Sequence, residues 1–283
     1  MHRKTALVVV LLVAMGGVVL AQNPPAAAAK PAEAKAPDTN NEAHEFLKSK
    51  VDKVMYNLLD KGLKSVIVTS EMNMSMGPMG ELAIKTRYVW QADPPREKFA
   101  MDDTGLPPQA GAMKGMLEEN LKESCRKMIL PASMRMKDTQ LSLAKTDDGN
   151  VAIALPEKTR SMGPMTLKMQ ETWVYTPAGK LVRTEVRGTN PMTQEPQVQT
   201  STPVLKEVDG RFLVVGTEDK SAQGQGKSEL KYEEKDGFQL PVESKSTTQM
   251  GDRSIKINVT PNPKLTDADF ADAPKPAEKK PGN

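Results

Sequence analysis

The 283-residue chain has one cysteine, Cys125, so no disulfide can form within it, whatever the redox state of its compartment. Stability must come from a buried core. Histidine is almost as scarce: His2 lies in the extreme N-terminal segment, and His44 falls at the exposed start of an expected helix. No Ser/His/Asp or Cys/His set can be assembled from these, nor a histidine cluster for zinc. A glycine-rich phosphate loop after a strand is missing too. Asp102-Asp103 and Asp147-Asp148 sit in turn-like sequence, where solvated loop is the simpler reading, and a glycosidase-type carboxylate pair has nothing positive behind it. The chain is therefore read as non-enzymatic, with no cofactor and no resident metal.

An excess of charge of one sign is also lacking. Lys and Arg number 39 against 36 Asp and Glu, interspersed along the chain. Nucleic-acid binding, which needs a basic stripe to neutralise phosphates, has little support. Aromatic residues make up only 4 %, and long apolar runs are confined to one place. That place is Ala6 to Leu20, behind Arg3 and Lys4 and before Ala21-Gln22: a basic n-region, an h-region and a small residue at the cleavage position. The run is shorter than the roughly 20 residues of a membrane span and contains Gly16 and Gly17. Residues 1–21 are read as a cleaved signal peptide, with a mature chain that starts at Gln22 and has no integral membrane span. Gln22, not a cysteine that could carry a lipid, stands just after the cleavage point. The expected location is periplasmic or secreted.

Residues 22–40 are rich in Pro, Ala, Lys and Glu and cannot bury enough surface to offset chain entropy; residues 271–283 share that composition. Both read as disordered, flanking a single binding domain over 41–270. Within it a first helix is predicted over 41–61, with Leu47, Val51, Val54, Met55, Leu58 and Leu59 on one stripe and Gly62 just past its end. Period-two alternation follows: Val66, Val68, Ser70, Met72, Met74 and Met76 share one strand face, and Leu82, Ile84, Tyr88 and Trp90 share another after a Gly77-Pro78 turn. A second helix is predicted over 107–130, with Met113, Met116, Leu117, Leu121, Cys125, Met128 and Ile129 on one side. Turn signals then recur at nearly every break, giving ten or eleven strands joined by short connections. The fold class is mainly β with two helices (α+β), an antiparallel meander.

Ser75-Met76-Gly77-Pro78-Met79 recurs as Ser161-Met162-Gly163-Pro164-Met165. With one residue of slip, Tyr88 and Trp90 match Trp173 and Tyr175. The two copies are either two arms of one site or two similar hairpins. Methionine, at 18 residues, is the unusual abundance. It is flexible and polarizable, so a surface rich in it can repack around varied apolar partners. The residues assigned to an apolar ligand cavity are Met72, Met74, Met76, Met79, Ile84, Tyr88, Trp90, Met113, Met116, Leu117, Met162, Met165, Met169, Trp173 and Tyr175. Core filling by the same side chains is the plainer alternative. A thioether site for Cu(I) at Met72, Met74, Met76 and Met79 is a third, although same-face strand residues lie about 7 Å apart.

Near the end of the domain, Gly237-Phe238-Gln239-Leu240-Pro241, Ile255-Lys256-Ile257-Asn258-Val259, Asn262-Pro263-Lys264-Leu265 and Asp267-Ala268-Asp269-Phe270 resemble the LolA-like family of periplasmic lipoprotein carriers. Pro95-Arg96-Glu97-Lys98-Phe99 after Trp90 adds to the likeness, which spans about Asn41 to Phe270. The resemblance implies an unclosed half-barrel with helices as a lid, and as ligand a lipid or the acyl part of a lipoprotein. The domain is longer than a minimal carrier, and methionine stands where such carriers use more aromatics. The expected function is a non-catalytic exported carrier of an apolar ligand, with envelope proteins as further partners. A Met-rich copper binder and a structural envelope module without a small ligand are the alternatives.

Overall fold

The computed structural model describes residues 39–271 apart from 76–80, 103–113, 163–164, 190–194, 223 and 249–250. The expected leader, most of the linker, and the tail beyond Ala271 lie outside the described residues.

The first described element is helix α1, an α-helix over Asn40–Phe46 that runs through a π-helical turn, Leu47–Val51, into Asp52–Val54. Ala43, Leu47 and Val51, four residues apart, form its buried face. The first described residues, Thr39 and Asn40, are tied to the sheet. Thr39 Oγ1 accepts from Leu143 N at 2.6 Å, and Asn40 Oδ1 accepts from Leu141 N at 2.7 Å. The helix ends at Val54 rather than at Lys61. Met55 turns extended (φ −85°, ψ 140°) and bridges Phe212 in parallel, with Tyr56 N donating to Phe212 O at 2.9 Å. A long-range backbone pairing thus overrides a helical stripe that would otherwise continue. Leu58, on the expected stripe, consequently packs in a different core from Leu47 and Val51.

Strands β1 (Ser65–Ser75), β2 (Glu81–Gln91) and β3 (Arg96–Asp102) follow. Next come helices α2 (Lys114–Ile129) and α3 (Ala132–Met136), then the short strands β4 (Ser142–Lys145), β5 (Val151–Ala154) and β6 (Lys158–Met162). Longer strands complete the sheet: β7 (Met165–Tyr175), β8 (Leu181–Thr189), β9 (Pro196–Val208), β10 (Arg211–Ser221), β11 (Gly224–Lys235), β12 (Phe238–Thr248) and β13 (Gly251–Pro261). A last turn of helix, α4, spans Asp267–Phe270. Among the described residues the sheet has thirteen strands against the ten or eleven expected, since four- and five-residue strands such as β4 to β6 carry little alternation to read.

The sheet is antiparallel and unclosed, in the order β3-β2-β1-β13-β12-β11-β10-β9-β8-β7-β5-β4, with β6 also paired to β7. It is a meander except at one point. The chain leaves the β3 edge, crosses the inner face as α2 and α3, and re-enters at the β4 edge. Both edges are blunted, as open strands must be to avoid edge-to-edge association. Beside β4 stand Thr39 and Asn40. Beside β3 stands α4: Asp267 pairs with Arg96 at 2.7 Å, Asp269 with Arg87 at 2.7 Å, and the Arg96 guanidinium lies 4.3 Å from the Phe270 ring. The segments that carry the family resemblance therefore touch one another.

Among the described residues, two cores hold the helices to the inner face. In one, Val66, Val68, Tyr88 and Trp90 of β1 and β2 meet Cys125 and Ile129 of α2 and Phe238, Leu240, Ile257 and Val259 of the last strands. The even-numbered face read from alternation is the buried one: Met72 pairs with Ile84, Val68 with Tyr88 and Val66 with Trp90. Burying each such side chain contributes about 1.5–3 kcal/mol. In the other core, Ala43, Leu47 and Val51 of α1 and Met136 of α3 meet Ile153, Trp173 and Tyr175.

Candidate functional site

Between the two cores the inner face is less tightly covered, and a cavity of about 310 Å³ lies there. Val51 and Met55 come to it from the end of α1, Met128 and Leu130 from the end of α2, and Trp173, Tyr175 and Leu181 from β7 and β8. Val214 of β10 and Leu230 and Tyr232 of β11 form its floor. Its volume is at the lower end of the roughly 300–1,000 Å³ typical of ligand pockets. The tyrosines around it are tied down or buried: Tyr232 Oη donates to Val214 O at 3.0 Å, and Gln239 N donates to Tyr56 Oη at 2.9 Å. Burial pushes the Tyr175 and Tyr232 phenols well above their ordinary value, so both stay neutral.

A wider groove of about 550 Å³ adjoins it. There α2 presents Asn120, Glu123 and Lys127 toward Met169, Val186 and Ser201. Lys127, Glu171 and Thr184 line both spaces and mark where apolar lining gives way to polar. An apolar chamber thus continues into a polar one.

Ion pairs fix α2 above this trough from both sides. On the β3 side Glu97 takes Lys122 at 2.8 Å, Arg126 at 3.4 Å and the Tyr88 hydroxyl at 3.0 Å. On the β7 side Glu171 takes the Trp173 indole N–H at 2.6 Å and Lys127 at 3.5 Å, while Arg135 lies 5.1 Å from the Trp173 ring and 3.5 Å from Glu123. Burial pushes both carboxyl groups up, but Lys122 and Arg126 at Glu97, and Lys127 with the indole at Glu171, outweigh it and hold each below the usual glutamate value of 4.5. A carboxylate depressed by folding stabilises above its unfolded pKa and loses that contribution as pH falls through the folded one. Below about pH 4.5 α2 is therefore expected to loosen. Cys125 provides the readout: it lies on the buried face of α2, and burial pushes its thiol up to about 12. Labelling by dithiodipyridine, scaled to a cysteine peptide at the same pH, should rise severalfold between pH 7 and 4. An unchanged ratio would mean that these pairs do not hold the helix.

The residues read from the sequence as cavity wall occupy several places. Met72 and Ile84 are buried opposite each other in β1 and β2, and Tyr88 and Trp90 lie in the core under α2. Leu117 is buried on α2. Trp173 and Tyr175 line the apolar cavity as well as the second core, and Met169 lines the polar groove. Met74, Met116, Met162 and Met165 stand in β1, α2, β6 and β7, but their side chains are outside the described residues, as are Met76, Met79 and Met113 altogether. The repeated segments fall between the paired strands β1 and β2 and between the paired strands β6 and β7, and their aromatic pairs sit in different cores. Sequence reasoning overlooked Tyr56, Lys127, Glu171, Val214, Leu230 and Tyr232. The alternation of Ser228, Leu230 and Tyr232 along β11 was the available signal. Among the described residues no group of three His, Cys, Asp or Glu side chains is placed to hold a metal ion, and no helix is long and apolar enough to cross a membrane.

No protein-family model matches the chain, and no curated protein matches it. Among solved structures the chain is similar to a LolA superfamily protein of Nitrosomonas europaea, at 10 % identity over 81 % of this chain and 97 % of that one, with a TM-score of 0.29. A likeness that loose says nothing of function, and the fold stands on its own strands.

Proposed function

We propose that the protein is a non-catalytic, exported carrier that holds one apolar chain, of a lipid or a lipoprotein, between its sheet and its crossing helices. The observation that carries this is the cavity of about 310 Å³ between the two cores and its continuity, through Lys127, Glu171 and Thr184, with the polar groove. An apolar chamber with a polar mouth matches a ligand that is apolar at one end and solvated at the other. The leader sequence supports a periplasmic or secreted location, where such a ligand needs shielding from water in transit. Envelope proteins would deliver or receive it.

Native mass spectrometry of protein purified from its own envelope is expected to show a co-purifying lipid mass. Leu230→Trp, which fills the floor of the cavity, should remove that mass while the protein stays folded. A bare mass for the unaltered protein would favour a structural module, and a copper adduct would favour the methionine-ligand reading.

A further inference from the structure

Arg253 rises from the inner face of β13. It alternates with Ile255, Ile257 and Val259, of which the last two are buried. Every other arginine whose side chain is described makes an ion pair with a carboxylate. Arg253 has neither a carboxylate nor a hydrogen-bond partner among the described residues, and burial alone pushes its guanidinium below the ordinary value. Holding an uncompensated cation on a partly buried face is unfavourable, and it makes the position a strong receptor for an anion.

What lies beside it suits an oxyanion. Ser246 stands opposite Arg253 on β12, Ser228 opposite Ser246 on β11, and Thr217 opposite Ser228 on β10, where the two hydroxyls are 2.8 Å apart. With neighbouring strands about 4.8 Å apart, this is a band of hydroxyls across the inner face that ends in a guanidinium. The adjacent row carries Leu230, Ser244 and Ile255. Leu230 lines the apolar cavity, so cavity and band are about 7 Å apart along the strands.

We propose that Arg253, with Ser246, Ser228 and Thr217, receives the anionic oxygen headgroup, carboxylate or phosphate, of an amphiphile whose chain occupies the cavity. The inference rests on the carrier reading and narrows it to anionic ligands. The planar guanidinium matches two oxygens of such a group at once, and the hydroxyls donate to the others.

The test uses the full mature protein, titrated with hexadecanoate, hexadecanol and inorganic phosphate. Unaltered protein should bind hexadecanoate about tenfold or more tightly than hexadecanol, the scale of one charge-assisted hydrogen bond. Arg253→Met should abolish that preference, weaken hexadecanol binding far less than hexadecanoate binding and leave Tm the same or higher, because the charge has no partner among the described residues to lose. Arg253→Lys, which keeps the charge without the fork, should retain part of the preference and decides the matter if the Met variant does not fold. Equal affinity of the unaltered protein for the two amphiphiles, or a preference that survives Arg253→Met, overturns the inference and leaves the carrier reading standing. Binding of phosphate that depends on Arg253, with neither amphiphile bound, overturns the carrier reading and the headgroup assignment together. Absence of all binding overturns both as well.

Discussion

Replacing Gly179 with alanine is expected to destabilise the protein by about 3 kcal/mol, through two separable causes. Gly179 sits in the turn between β7 and β8 with φ +96°, in the left-handed region where a side chain costs about 1–2 kcal/mol. A Cβ there would also stand 2.6 Å from the Lys50 carbonyl carbon and 2.8 Å from Val51 N, both backbone atoms of the π-helical turn in α1. Backbone cannot swing aside as a side-chain tip can, so α1 must shift from the sheet, and overpacking of that kind costs about 1–3 kcal/mol. Gly149→Ala is the control: its φ is +77°, and a Cβ there would meet nothing within 4 Å. Urea unfolding should show the Gly149 variant losing only the conformational part. If the two variants lose equal stability, α1 does not dock against this turn.

Trp173→Ala should cost about 3–5 kcal/mol, the range for removing a buried aromatic from a packed core. Trp173 is 4 % exposed, belongs to the core with Ile153 and Tyr175, and gives its indole N–H to Glu171. Trp173→Phe keeps most of the apolar contact and removes only the donor. Its expected loss is about 1–2 kcal/mol, the penalty for a half-buried carboxylate deprived of one hydrogen bond. The pair of variants separates packing from the polar seam between cavity and groove. A loss below 1.5 kcal/mol for Trp173→Ala would show that the indole is replaceable and that the cavity wall does not depend on it.

Local features of this protein were readable, and non-local ones were not. The inner face of β1 and β2 follows from period-two alternation, because a strand with one buried face must place Val66, Val68, Met72, Ile84, Tyr88 and Trp90 on one side. The amphipathic stripe of α2 was equally plain at Leu117, Leu121, Cys125 and Ile129. The break of α1 at Met55 was not, since its cause is Phe212, over 150 residues away. The site shows the same division. Trp173 and Tyr175 were marked by the repeat, and both line the cavity. Lys127 and Glu171 were not, because each looks like an ordinary solvated charge until α2 is laid across β7. The methionines of β1's end and its turn lie outside the described side chains, and the cavity between the cores takes its apolar surface from tyrosine, leucine and valine together with Met55 and Met128.

The pairing of β1 with β13 sets the order in which the chain can fold. Val66 faces Pro261 and Met72 faces Ile255 across that seam, and the side chain of Asn262 accepts from Lys64 N, 198 residues earlier. During synthesis, at about 5–20 residues per second, the first hairpin emerges long before its second neighbour exists. Its free edge, with Ile67 and Thr69 among the backbone groups that β13 will take, stays available to any other extended chain for that interval. Contacts of such sequence separation form slowly. The last strand to be made is therefore the one that ends the exposure of the first, and a nascent or unfolded chain needs protection at β1 more than at any other strand.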